Sequence, residues 1–111
     1  MAYEAVHRFA RISPRKARLV ADLIRGRDAD EALDILRYQP QRGARLLEKV
    51  LKSALANAED RRAPNLKGLV VVDVRVDGGP MFRRMRPKAR GMSSIIKKRT
   101  SHIRVTLESP E

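Results

Sequence analysis

Residues 70–107 read VVVDVRVDGGPMFRRMRPKARGMSSIIKKRTSHIRVTL. At one end Val70, Val72, Val74 and Val76 alternate with Val71, Asp73, Arg75 and Asp77. At the other, Ser101, Ile103, Val105 and Leu107 alternate with His102, Arg104 and Thr106. A period of two with one apolar face describes a half-buried strand. Pairing the two apolar faces sets Val74 against Ile103, Val72 against Val105 and Val70 against Leu107. That register predicts an antiparallel hairpin turning between Lys88 and Ala89, with room for bulges to move the turn by a residue or two. Pro87 and Gly91 flank this tip, as suits a turn. The apolar alternation stops near Val76, about twelve residues before the turn, so the arms are expected to project roughly 40 Å beyond the sheet.

The same stretch carries most of the charge. The 111-residue chain holds 25 Lys and Arg against 13 Asp and Glu, a net charge of +12. Residues 78–107 contain nine basic groups (Arg83, Arg84, Arg86, Lys88, Arg90, Lys97, Lys98, Arg99 and Arg104) and no acid. Solvated surfaces normally intersperse both signs. Segregation on this scale points to a polyanionic partner, nucleic acid before an anionic membrane. Arg outnumbers Lys by 18 to 7, and the planar guanidinium fork matches phosphate oxygens. A two-stranded ribbon loaded with like charge is marginal in water. It holds a fixed shape inside an anionic surround, or it is an arm that orders on binding. A plain solvated basic loop is the competing reading, and the interleaved Met81, Phe82, Met85, Met92, Ile95 and Ile96 count against it.

Upstream, residues 3–12 read as a strand. Ser13 and Pro14 supply an N-cap and a first helical residue. Ala17, Val20, Leu23 and Ile24 follow at helical spacing, and Gly26 supplies the stop. Arg11, Arg15, Lys16, Arg18 and Arg25 form a basic face, either a second anionic contact or an ordinary solvated one. A second helix opens on Asp28 with Glu31 three residues on, a capping-box pattern. It buries Ala32, Leu33 and Leu36, and Tyr38, Gln39 and Pro40 end it. A third, longer helix carries Ala44, Leu47, Leu51, Ala54, Leu55 and Ala58, widened by Leu46 and Val50. The expected fold is α+β: three helices packed on a small antiparallel three-stranded sheet, with a long protruding β-hairpin. Residues 1–111 form a single domain, with a body over 1–77, the basic hairpin over 78–100, and a final strand and tail over 101–111.

Several functions are excluded or disfavoured. No Cys is present, and two histidines, His7 and His102, are too few for a metal cluster. Ser101 and His102 are neighbours on a strand, so their side chains leave opposite faces and cannot act as nucleophile and base. Gly78, Gly79 and Pro80 mark a bend or bulge, with no phosphate-loop or dinucleotide pattern. No catalytic residue, metal, cofactor or enzyme activity is expected. No window approaches a membrane span and no signal peptide is evident, so a soluble, cytoplasmic protein without a membrane partner is expected. The only four aromatic residues, Tyr3, Phe9, Tyr38 and Phe82, disfavour a single-strand binder that works by base stacking. Phosphate and shape contacts to folded RNA fit better. The alternative is an architectural DNA-binding protein with β-ribbon arms, with Pro87 and Met92 as wedges, although such proteins usually dimerise.

The stretches Arg11–Gly26 (RISPRKARLVADLIRG) and Lys97–Ile103 (KKRTSHI) resemble the family of large-subunit ribosomal proteins numbered twenty-two in bacterial nomenclature. ALDILRY at 32–38, ALANA at 54–58 and VDGGP at 76–80 are also similar to it, and the likeness runs in order from about residue 5 to 107. This resemblance implies a non-enzymatic structural constituent of the large ribosomal subunit that binds large-subunit rRNA, aids its assembly and lines the nascent-peptide exit tunnel with its hairpin. The implied RNA-binding residues are Arg11, Arg15, Lys16, Arg18, Arg25, Arg83, Arg84, Arg86, Lys88, Arg90, Lys97, Lys98, Arg99 and His102. The implied tunnel-lining tip is Arg86, Pro87, Lys88, Ala89, Arg90, Gly91 and Met92. The family tip usually reads Pro-Arg-Ala-x-Gly-Arg-Ala. Here Lys88 keeps the charge without the fork, and Met92 replaces a cation. Implied partners are rRNA, neighbouring ribosomal proteins and the nascent polypeptide, with the free protein a monomer. The implied location is a cytoplasmic ribosome, plastid and mitochondrial ribosomes remaining open.

Overall fold

The computed structural model describes residues 2–63, 66–87, 89–91 and 93–109. Three α-helices and three strands follow in order among the described residues: β1 Ala2–Ala10, α1 Pro14–Ile24, α2 Ala29–Tyr38, α3 Arg42–Asp60, β2 Val70–Pro87 and β3 Ser93–Glu108, with short 3-10 turns at Leu66–Gly68 and Ala89–Gly91. The strands form one antiparallel sheet in the order β1-β3-β2, with β3 central. This is the expected α+β arrangement of three helices, three strands and a long hairpin.

One face of the sheet is buried. Tyr3 and Ala5 from β1, Ile103, Val105 and Leu107 from β3, and Val71, Val74 and Val76 from β2 meet the helices there. Helix α3 lies over β1 and β3, α1 lies against β2, and α2 packs on α3. The inward stripe of α1 is Ala17, Val20, Ala21 and Ile24. Leu23, expected inside, is 41% exposed, because Ala21 takes the inward position and rotates the stripe. Leu33 and Leu55 are only partly buried, while Val50 is fully part of the core.

Ser13 caps α1 as expected, its Oγ accepting from the Lys16 amide at 3.4 Å, and Gly26 follows with φ +83°. The capping box on α2 does not form. Asp28 stands at the N-cap position but its side chain accepts no capping hydrogen bond. Glu31 instead pairs with Arg27 at 2.9 Å, an arginine one turn back that outcompetes a backbone amide for the carboxylate. At the other end of α2, Arg45 of α3 donates through Nη2 to the carbonyls of Leu36, Arg37 and Gln39 at 2.8, 3.0 and 2.6 Å. A cation thus satisfies carbonyls that the helix terminus leaves open.

The hairpin register differs from the expected one. Ile103 lies opposite Val76 and Val105 opposite Val74, while Val71 lies opposite Leu107. Val72 is an extra residue in a two-against-one bulge and is 42% exposed. Three consecutive valines leave the phase of the strand open to an alternation argument. Leu69, fully buried, fixes it at the odd positions until the bulge restores Val74 and Val76 to the inside. A second bulge sets Gly79 and Pro80 against Thr100. The two bulges carry the turn past Lys88 and Ala89 to a centre at Arg90, with Pro87 opposite Ser93. Arg90 and Gly91 take φ +66° and +72° to close it.

Beyond Gly78 the two arms continue as a lone ribbon of about 30 Å at 3.3 Å per residue. The molecule is accordingly 64 × 24 × 17 Å with a radius of gyration of 17.0 Å, against about 13 Å for a compact chain of this length.

Candidate nucleic-acid interface

The β2 edge is sealed by basic residues. Arg18 donates through Nε and Nη2 to the Val76 carbonyl at 3.1 and 2.9 Å. Arg25 donates to the Val74 carbonyl at 2.7 Å and to Asp22 at 2.6 Å. Arg18 on α1 and Arg25 just past its end, seven residues apart, reach carbonyls two residues apart on a strand. The Gly26 amide and the Arg27 carbonyl complete the seal by bonding both polar groups of Val71. Exposed strand edges invite pairing with other chains, and here the inner turn of the basic face serves to close one. Arg18 and Arg25 therefore divide their donors between the fold and the surface.

The outer turn of that face has a different setting. Arg11 and Lys16 line a hollow of about 620 Å³ together with Ile12, Ser13, Leu19, Gln41, Arg42, Gly43, Lys97, Lys98 and Arg99. Six cations surround it: Arg11, Lys16, Arg42, Lys97, Lys98 and Arg99. No carboxylate is among the lining residues, and none of the six makes an ion pair with a described residue. Arg15 is exposed on the adjoining turn. The hollow thus joins two segments distant in sequence, the start of α1 and the arm of β3, which the residue pattern treated as separate basic patches.

Two helix N-termini open into this hollow. Ser13 caps α1, Gln41 stands at the N-cap position of α3 without a side-chain capping bond, and neither helix carries an acid in its first turn. Helix α2, outside the hollow, has Asp30 and Glu31 there. Unneutralised N-termini present free amides and the positive end of the helix dipole, which favour anions. Gly43 lets α3 come this close: a Cβ there would stand 3.1 Å from Ile12 Cδ1. Arg42 and the α3 terminus were missed in the sequence. Arg42 is one basic residue on an otherwise ordinary helix start, and only the fold brings it beside Lys97–Arg99.

Along the ribbon, Arg83 is exposed and lies opposite Lys97, Lys98 lies opposite Phe82, and Arg99 lies opposite Met81. Direct opposition of like charges destabilises a ribbon. At the tip, Ala89, Arg90 and Gly91 are exposed. Lys88 and Met92 lie outside the described residues, as do the side chains of Arg84, Arg86 and Pro87. His102 sits on the body, where its Nδ1 accepts from the Phe9 amide at 3.1 Å.

Comparison with known proteins bears on this geometry. The family model described as ribosomal protein L22p/L17e matches residues 5–108. A protein named large ribosomal subunit protein uL22 from Rhodopirellula baltica is 63% identical over 110 residues, covering 95% of this chain and 92% of that one. Its namesake from Caldicellulosiruptor saccharolyticus is 51% identical over 107 residues, covering 96% and 88%. Another from Thermoanaerobacter pseudethanolicus is 48% identical over the full length of both chains.

Proposed function

The chain belongs to the ribosomal protein L22p/L17e family, and from that premise we propose that it binds large-subunit rRNA through the basic hollow and the ribbon together. It is a structural constituent of the large ribosomal subunit rather than an enzyme. The observation that carries the reading is the acid-free ring of Arg11, Lys16, Arg42, Lys97, Lys98 and Arg99 around two helix N-termini. RNA phosphates that converge there replace one another's repulsion with contacts to fixed cations and amides. The ribbon, self-repelling alone, gains its order from the same polyanion and wedges between RNA helices, which is how the protein aids assembly. Its tip, residues 86–92, lines the nascent-peptide exit tunnel. The partners are rRNA, neighbouring ribosomal proteins and the nascent chain, and the free protein is a monomer in the cytoplasm.

The test is binding of the intact chain and of K97Q/K98Q/R99Q to large-subunit RNA and to duplex DNA across a salt series. Three lost phosphate contacts should reduce the log–log salt slope by about 2–3. An R83Q/R84Q/R86Q variant should act similarly along the ribbon. An unchanged slope in both refutes the assignment, and equal affinity for DNA returns the architectural DNA-binding reading. The tunnel assignment has its own check, since the chain has no Cys. Ala89→Cys should crosslink to a stalled nascent chain in reconstituted ribosomes, and absence of that crosslink removes it.

A further inference from the structure

On the sheet face turned away from the helices, β1 bulges where Arg8 and Phe9 stand against His102. Phe9 takes φ +60° there, a left-handed conformation that bulky residues rarely adopt and that clusters at functional sites. Two contacts hold it: the amide bond to His102 Nδ1 at 3.1 Å and a T-shaped ring contact with centroids 5.0 Å apart at 84°. The result is an aromatic ring that stays 59% exposed. A T-shaped pair uses the face of one ring and the edge of the other, so this contact takes up at most one face of the Phe9 ring.

Around the pair lies a hollow of about 200 Å³ lined by Val6, Arg8, Phe9, Asp77, His102 and Arg104. It is smaller than a pocket for a drug-sized ligand and suited to one planar group. Each lining chemistry has a counterpart on a nucleotide. An aromatic face stacks a base. The Asp77 carboxylate accepts from base N–H groups, and Arg8 and Arg104, both exposed and without an ion-pair partner among the described residues, answer the phosphate. The left-handed backbone at Phe9 turns the ring outward, away from the core.

We propose that this hollow receives one unpaired RNA nucleotide, its base stacked on the Phe9–His102 pair, with a preference for bases that present N–H donors to Asp77. The site is separate from the hairpin and its basic hollow, and it rests on the RNA-binding reading above. Stacking on the Phe9 ring adds affinity without releasing counterions, so its loss leaves a signature that loss of the Arg8 or Arg104 phosphate contacts does not.

The experiment compares the wild-type chain, Phe9→Leu and Phe9→Tyr on large-subunit RNA over the same salt series, with ultraviolet crosslinking to locate contacts at Phe9. Phe9→Leu should weaken binding by about five- to a hundredfold with an unchanged salt slope, and Phe9→Tyr should bind as wild type. Thermal melts of the three separate lost binding from lost fold. In the wild-type complex the crosslink should join Phe9 to an unpaired nucleotide. Wild-type affinity in Phe9→Leu overturns the inference while leaving the basic interface intact, as does a loss shared by Phe9→Tyr. A wild-type chain that binds no RNA overturns both readings.

Discussion

Replacing Val71 and Val72 separately by alanine measures the phase of β2. Val71 is fully buried and Val72 is 42% exposed, although they are adjacent and chemically identical. Truncating Val71 removes two apolar carbons from the core, about 1.6 kcal/mol of transfer free energy at ~0.8 kcal/mol each. The vacated space among Leu69, Leu107 and the helices adds a cavity contribution that brings the total to about 2–3 kcal/mol. With an unfolding entropy of about 2.1 cal/mol/K per residue, this chain loses roughly 4 °C per kcal/mol, so Val71→Ala should melt about 9–13 °C lower. Val72→Ala forms no cavity, and its cost should stay below about 1 kcal/mol, or roughly 4 °C. Circular dichroism melts at fixed salt, checked for two-state behaviour by calorimetry, decide the matter. If Val72→Ala falls as far as Val71→Ala, the bulge is absent and the register it sets is wrong.

Three further substitutions probe devices that hold the interface in place. Ser101 is fully buried and its hydroxyl donates to the Ile12 carbonyl at 2.6 Å; Ser101→Ala should strand that acceptor and cost about 1–3 kcal/mol in denaturant titration. Arg45→Ala removes a donor shared by three carbonyls at the end of α2, and a loss of about 1–2 kcal/mol is expected, visible as faster amide exchange at Gln39. Gly79→Ala would set a Cβ 2.5 Å from Thr100 Oγ1. Because Thr100 is buried and its hydroxyl donates to the Pro80 carbonyl, the melting temperature should drop by the equivalent of about 1–3 kcal/mol, whereas Gly26, with nothing near its Cβ position, offers no such clash.

The sequence made the fold class legible because its periods are clean. Alternation at 101–107 and helical spacing at 44–58 each point to a face, and Ser13, Pro14 and Gly26 mark the ends of α1. What escaped it were choices among equivalent local options. Residues 70–72 are all valine, so only Leu69 and the bulge assign their faces. Asp28 and Glu31 fit a capping box, yet Arg27 claims Glu31. The basic site was half legible. Charge counting found Lys97–Arg99 and the start of α1, but composition cannot tell that Arg18 and Arg25 are drawn to strand carbonyls while Arg42 joins the hollow. Phe9 escaped for a similar reason, since an aromatic residue in a strand reads as core until its backbone angle is known.

The bulges at Arg8–Phe9 and Gly79–Pro80 flank β3 on both sides, at His102 and Thr100, which is where the ribbon leaves the body. Bulges bend and twist a strand locally, so this pair acts as the elbow of a long lever. With an arm of about 30 Å, a 10° change of bend at the elbow swings the far end by roughly 5 Å, more than the length of a hydrogen bond. Side chains far from the tip therefore set its pointing accuracy. The bond from Thr100 to Pro80, the absence of a side chain at Gly79 and the clasp of His102 on Phe9 serve as the alignment screws, and small changes there should displace Arg90 further than changes made beside it.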